Sequence, residues 1–322
     1  MRTAIIGASG HYPYAVRGAS KRREQMEICA VAAGTKGEDL TGLISSCEEA
    51  GFRPAVYDDW RELLEEVKPD VCAVNPWFCD SAEISIYALE RGIHVYSEKP
   101  LACDEGTLDR LYGAYQSSGA ELAGMFDGRH TPWLRTVKDA VDRGEIGEIR
   151  LLHGRKSYKM GKRGPVYEKT ATYGGMLGWI AIHPMSWFDY LLERDPEKAV
   201  GMTDASFNNG TGEMETAGTM LISYPGGVLA SINADFFRPE AGLRHDDDRI
   251  MVTGTKGFIE TKDGNVWLEN DKPRRKLDLL PGEDPFLYFI DSIGTEKAKE
   301  LAKTAFAVTR CAVRTQAACG RK

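Results

Sequence analysis

The chain has 322 residues, 42% of them hydrophobic and 28% charged, with a formal net charge of −7 and a pI near 5.5. That length exceeds what one small core needs and favours two domains. The balance excludes a disordered, collagen-like or membrane-embedded chain, and the acidic excess argues against a nucleic-acid platform or a partner of anionic membranes. No apolar run approaches the roughly 18–20 residues of a bilayer span. Ala4-Ile5-Ile6 passes straight into glycine, so no signal peptide is expected. The seven cysteines are scattered without a CxxC, which points to reduced thiols and a cytoplasmic location.

Through residue 126, strand-like apolar runs alternate with helical patterns. Strands are expected at Thr3–Ile6, Ile28–Ala32, Val71–Asn75, Ile93–Tyr96 and Leu122–Phe126, and helices at about 13–26, 38–50, 59–67, 80–91 and 104–117. Asp58-Asp59 and Asp80-Ser81 supply N-caps, and Gly51 and Gly92 fall where helices should stop. Such alternation builds an α/β domain around a doubly wound parallel sheet. After Pro132 the rhythm changes. One helix at 133–143 is followed by strands at 149–159, 200–208, 214–224, 228–237, 249–253, 257–261 and 265–269. Pro225-Gly226-Gly227 and Asp263-Gly264-Asn265 read as hairpin turns, so this half is an α+β domain with an antiparallel sheet. An alanine-rich helix, Lys297–Ala318, closes the chain. The expected domains are 1–125 and 126–322.

Gly7-Ala8-Ser9-Gly10-His11 joins the first strand to a helix with Pro13 near its first turn. A glycine turn there lets backbone N–H groups and the helix N-terminus hold a pyrophosphate, although Ser9 and Tyr12 replace two glycines of G-x-G-x-x-G. The second strand ends at Ala33-Gly34-Thr35-Lys36, without the carboxylate that usually binds the ribose diol of NAD. Thr35, Lys36 and Arg22 could instead meet a 2′-phosphate, which tilts the expectation toward NADP; a solvated basic loop is the alternative. Glu98-Lys99-Pro100 falls just past the fourth expected strand, on the edge where open α/β sheets bind ligands. A lysine there can exchange a proton with a substrate hydroxyl. A surface lysine before a turn proline would look the same.

Glu98-Lys99-Pro100 stands in order with Val74-Asn75-Pro76, Tyr87-Ala-Leu-Glu-Arg-Gly-Ile-His-Val95, Gly144-Glu-Ile-Gly-Glu148, Gly174-Gly175…His183 and Gly254-Thr-Lys-Gly257. In this pattern the chain resembles the Gfo/Idh/MocA oxidoreductases over nearly its whole length. The resemblance implies an N-terminal Rossmann domain and a C-terminal domain with a large, open, predominantly antiparallel sheet. It implies NAD(P)-dependent hydride transfer at a sugar or polyol carbon, and homodimers or homotetramers built on the sheet face. Residue by residue, it puts the pyrophosphate at Gly7, Ala8, Ser9, Gly10 and His11 and the adenosine ribose near Thr35 and Lys36. The nicotinamide side falls near Asn75, Pro76, Glu98, Lys99 and Asp127. Lys99 and His183 become the catalytic pair. The family's Asp four residues before the histidine is here Trp179, and Asp80 stands where many members carry a histidine.

Trp179 and Arg129 are candidate substrate-wall residues. Trp179 turned into the core, and His183 as a core histidine, are the plainer alternatives. Arg155, Lys156 and Tyr158 line either the cleft or a charged strand face. Asp246-Asp247-Asp248 reads as a solvated loop, and His11, His94, His130, His153 and His245 form no ligand cluster, so no metal is expected. Two further readings stay open: NAD-dependent elimination or hydrolysis without net redox, and a silent nucleotide-bound sensor.

Overall fold

Ala4, Ile5 and Ile6 have no exposed surface because β1 (Arg2–Ile6) is an inner strand of a six-stranded parallel sheet. The computed structural model describes residues 1–319. From β1 the chain runs through α1 (Pro13–Lys21), β2 (Glu27–Ala32), α2 (Thr41–Glu49), β3 (Ala55–Tyr57), α3 (Trp60–Val67), β4 (Val71–Val74), α4 (Ser81–Leu89), β5 (His94–Ser97), α5 (Glu105–Ser118) and β6 (Leu122–Gly124). The strand order β3-β2-β1-β4-β5-β6 places a switch point between β1 and β4, the usual crevice for a ligand in such sheets. β3 was not expected. It is a three-residue edge strand, Ala-Val-Tyr, largely exposed and too short to give a strand pattern. Asp59 and Asp104 cap α3 and α5 through Arg61 N and Thr107 N. Asp80 makes no such cap on α4.

The expectation that every cysteine is a free thiol is corrected by a Cys79–Cys103 disulfide, with Cα atoms 5.2 Å apart. The cysteines lie 24 residues apart in sequence, but β4 and β5 are adjacent and parallel, so the segments leaving their carboxyl ends run side by side. Among the described residues no helix is long and apolar enough to cross a membrane.

A second sheet follows α6 (Pro132–Asp142). Its elements are β7 (Ile149–Lys159), α7 (Thr170–Tyr173), a π-helical stretch Leu177–Ala181 that runs into α8 (Ile182–Leu192), then β8 (Lys198–Asp204), β9 (Ala217–Tyr224), β10 (Val228–Arg238), β11 (Asp246–Gly254), β12 (Phe258–Lys262), β13 (Asn265–Glu269) and β14 (Arg275–Leu277). The order is β14-β13-β12-β11-β7-β10-β9-β8, antiparallel apart from the β7–β10 pair. Gly154 on β7 admits α8 closely: a Cβ there would lie 2.7 Å from Pro184 and 2.9 Å from Phe188. The opposite face carries exposed Leu151, Val200, Met202, Leu221 and Leu229. β8 stops at Asp204 rather than running to 208, because the Asp204 carboxylate accepts from Ser206 N and turns the chain. Asp246-Asp247-Asp248 is not a loop. These residues open β11, where alternation sends Asp246 and Asp248 toward Lys156 and Asp247 toward Arg155, Arg238 and Arg249.

The chain divides into two compact units, Met1–Met125 with Asp284–Phe306, and Phe126–Glu283 with the residues from Ala307 on. Residues 284–306, placed from sequence in the second domain, therefore return to the first; positions 320–322 of that assignment lie outside the described residues. The cause is the apolar face of α9 (Pro285–Ser292), which went unrecognised as a helix. Phe286 and Phe289 pack on the Tyr96 ring at 5.4 and 5.6 Å, and Asp284 caps α9 while receiving Lys21 at 2.9 Å. The alanine-rich α10 (Glu296–Cys319) begins in the first unit and ends in the second.

His130, 5% exposed, gives the second unit a pH dependence. Burial first, and the neighbouring Arg129 charge second, push its pKa from 6.5 down to about 4, against the pull of Glu283. A histidine kept neutral stabilises the fold fully above pH 6.5 and progressively less as pH falls toward about 4. Over that window the unfolded chain takes up a proton that the folded chain refuses, costing about 1.4 kcal/mol per pH unit. His130→Gln should flatten the acid limb of a denaturant-stability curve across this window; an unchanged limb would show that His130 does not set it.

Candidate active site

In the first unit, the β1–α1 connection turns through Gly7 (φ +87°) and Gly10 (φ +66°). A Cβ at Gly7 would lie 2.2 Å from the Asn75 carbonyl, and one at Gly10 would lie 2.1 Å from Glu98 Oε2. Neither position admits a larger residue. The turn is braced by three partners. Ala8 N–H and the Ser9 hydroxyl donate to Glu38 Oε1 at 2.9 Å, Ser9 N–H donates to Asn75 O at 2.8 Å, and His11 N–H donates to Glu98 Oε2 at 2.7 Å.

Glu38 was missed from sequence. It lies past the segment Ala33–Lys36 where a carboxylate was sought, at the expected start of a helix. The chain instead folds back, so that Glu38 Oε2 accepts from Gly34 N at 3.0 Å and Thr35 N at 3.3 Å. A carboxylate therefore does stand at the carboxyl end of β2. The Thr35 hydroxyl donates to Asp80 at 2.6 Å and accepts from Trp77 N at 3.0 Å, which gives Asp80 a bracing role. Lys36 is exposed on the turn. Arg22 is not at this edge. It is the C-cap of α1, roughly 12 Å along the helix from the glycine turn at 1.5 Å per residue, and is paired with Asp291 at 2.5 and 2.7 Å.

Beyond β5, Glu98 and Lys99 are buried, and the Lys99–Pro100 peptide is cis. Glu98 Oε1 accepts from Lys99 N at 2.9 Å and lies 3.9 Å from Lys99 Nζ, while Oε2 meets His11 Nδ1 at 2.8 Å. Burial alone would push the Glu98 carboxyl up, but His11 and Lys99 more than offset it and hold the group below the ordinary carboxylate range. Glu98 is thus an ionised clamp between the glycine turn and Lys99. Asn75, at 0% exposure, has neither side-chain carboxamide atom, Nδ2 or Oδ1, hydrogen-bonded. Leaving such a group unsatisfied costs about 1–3 kcal/mol. A buried, unspent carboxamide beside a glycine turn fits a bound dinucleotide.

In the second unit, His183 on α8 is 2% exposed, and its Nδ1 lies 3.9 Å from Asp127 Oδ1. Asp127, expected on the nicotinamide side, belongs to this unit. Lys156 Nζ donates to both Asp248 oxygens at 2.8 Å and sits 5.9 Å from the Trp187 ring. Burial works against the Lys156 ammonium, but Asp248 and Asp127 help hold it protonated. Arg129 lies over the Tyr190 ring at 4.9 Å. Trp179 is 8% exposed and meets the Tyr167 ring edge-on at 6.2 Å, inside the π-helical stretch. His94 accepts from Glu121 N, His153 meets Ser231, and His245 stacks on Tyr158.

Residues 1–124 match a family model described as an oxidoreductase family with an NAD-binding Rossmann fold, and residues 134–260 match the GFO/IDH/MocA C-terminal domain. The class is thus an oxidoreductase working with a nicotinamide dinucleotide, NAD or NADP. A solved candidate oxidoreductase from Thermotoga maritima is 32% identical, covering 97% of this chain and 98% of that one, with a TM-score of 0.89. The chain belongs to the Gfo/Idh/MocA family. Myo-inositol 2-dehydrogenase of Thermotoga maritima is 24% identical over 216 residues, 66% of this chain and 62% of its own. Levoglucosan dehydrogenase, solved with NADH and levoglucosan, has the same fold at 18% identity, with 99% and 97% of the chains covered and a TM-score of 0.76.

Proposed function

We propose that the enzyme moves a hydride between a nicotinamide and the carbinol carbon of a sugar, polyol or related hydroxylated metabolite. The observation that carries this reading is Lys99, buried at the carboxyl end of the sheet against an ionised Glu98. The bound dinucleotide would supply the hydride chemistry. Gly7–His11 and the start of α1 would hold its pyrophosphate, and Asn75 would satisfy its carboxamide on a polar group of the cofactor. As the neutral amine, Lys99 would receive the hydroxyl proton during oxidation and become the ammonium that Glu98 stabilises, with His183 as a second proton-handling group. Relatives named for inositol and levoglucosan support a hydroxyl substrate. The test is a panel of sugars and polyols with each dinucleotide. Substrate-dependent reduction of the cofactor supports the proposal; product without net reduction favours elimination, and silence across the panel overturns it.

Glu38 shifts the choice of dinucleotide toward NAD. Its carboxylate suits the ribose diol and repels a 2′-phosphate. NAD⁺ should bind more tightly than NADP⁺, and Glu38→Gln should narrow that gap about tenfold, or roughly 1.4 kcal/mol. Dissociation constants from nucleotide titration check this; a tighter NADP⁺ complex in the unmodified enzyme would reverse it. The exposed apolar row Leu151, Val200, Met202, Leu221 and Leu229 supports assembly of copies through the open sheet face.

A further inference from the structure

We propose that Asp127 is the carboxylate that positions His183, in place of the Asp that this family's pattern carries four residues before the histidine. The inference rests on the reading of His183 as a proton-handling group. Position 179 cannot serve, because an indole carries no charge and offers only an N–H donor. Its ring is also spent on Tyr167, and the π-helical stretch Leu177–Ala181 breaks the spacing by which residues four apart share a helix face.

Asp127 reaches the histidine from a different element. Its Oδ1 lies 3.9 Å from His183 Nδ1, and its side chain is 37% exposed while the imidazole is buried. The short turn after Asp127 fixes that placement. Gly128 packs so closely on α8 that a Cβ would come within 2.3 Å of the Trp187 indole nitrogen. Trp187 lies four residues after His183, on the same helix face. His130 N–H donates to Asp127 O at 2.9 Å, and the Thr131 hydroxyl donates to Gly128 O at 2.7 Å, which closes the turn. The α8 face that carries His183 therefore also sets the register of Asp127.

An anion beside Nδ1 favours the tautomer with hydrogen on that nitrogen and leaves the Nε2 lone pair to accept from a substrate hydroxyl. It also favours the imidazolium if Nε2 takes the proton. Charged and titratable groups coupled to Asp127 are Lys156 and Tyr158 from β7, Asp248 from β11 and His130 from the turn, with Asp246 beside Lys156 and Arg129 beside His130 one step further out. Lys156 has Asp248 as its direct partner at 2.8 Å and also feels the Asp127 charge, while the Asp127 carboxylate stands 3.9 Å from the imidazole.

Nitrogen-15 histidine NMR on the full chain tests this without a substrate, with His183→Gln assigning the signal. The unmodified protein should show His183 in the Nδ1–H tautomer. Asp127→Asn should lower its pKa by about one pH unit, and Asp127→Glu should restore it. In kinetics with any active panel substrate, Asp127→Asn should lower kcat about 10- to 100-fold and move the acid limb of the pH–rate profile down. A histidine in the Nε2–H tautomer, or one with the same tautomer and pKa in Asp127→Asn, overturns the proposal. Normal turnover in His183→Gln would instead overturn the catalytic reading of His183 while leaving the NMR result intact.

Discussion

Lys99→Met should lower kcat by roughly 10²–10⁴, the usual range for a lost acid–base group, while dinucleotide affinity stays within a few-fold. Methionine has similar length and suits a 1% exposed site. The substitution keeps the main-chain N–H that donates to Glu98 at 2.9 Å, and Glu98 keeps the His11 amide at 2.7 Å. What disappears is the amino group 3.9 Å from Glu98, which as the neutral amine is proposed to accept the hydroxyl proton and so become the ammonium. Single-turnover and steady-state rates, measured beside nucleotide titration, separate the two effects. Unchanged kcat would remove Lys99 from the mechanism.

The largest expected loss of stability follows from Lys156→Met. Removing one partner of a buried ion pair leaves the other uncompensated and costs about 3–5 kcal/mol. Here the survivor is Asp248, whose side chain is 16% exposed and whose partner is 5% exposed. Burial pushes the Asp248 carboxyl up to about 6 even with Lys156 drawing it down. Without the ammonium it rises further. The variant's deficit should therefore be greatest above about pH 6 and shrink as falling pH protonates Asp248. The Lys156→Met/Asp248→Leu double variant should recover most of the loss, since a matched apolar pair replaces both charges. Urea unfolding at neutral and acid pH checks both statements. Equal stability of the single variant and the unmodified protein at neutral pH would mean that Asp248 finds another partner or hydration.

Much of the fold was legible because the first 126 residues present long, regular signals. Buried parallel strands read as apolar runs, and the helices between them carry one apolar face. Weak signals failed where they were short or shared. β3 is a three-residue edge strand, and α9 hides in an apolar run that could equally be a strand. Asp246-Asp247-Asp248 reads as solvated because three acids in a row have no partner in the sequence. Their partners, Lys156 and Arg155, lie about 90 residues away on a neighbouring strand.

Glu98-Lys99-Pro100 and the glycine turn were visible because a strand ending in a ligand edge needs local residues of definite type. Glu38 was not, because its role depends on a chain reversal that brings it back to Gly34, Thr35 and Ala8. Cys79–Cys103 depends likewise on β4 lying next to β5. The sequence by itself determined the two sheet types, the glycine turn, the lysine at the sheet edge and the histidine of the second unit, since each follows from local periodicity or a contiguous motif. The tertiary structure alone decided which carboxylates stand beside them: Glu38 at the turn, Glu98 on His11, Asp127 on His183 and Asp248 on Lys156. A charge acts through space over a few ångströms, and chain separation sets no limit on which residues packing brings that close.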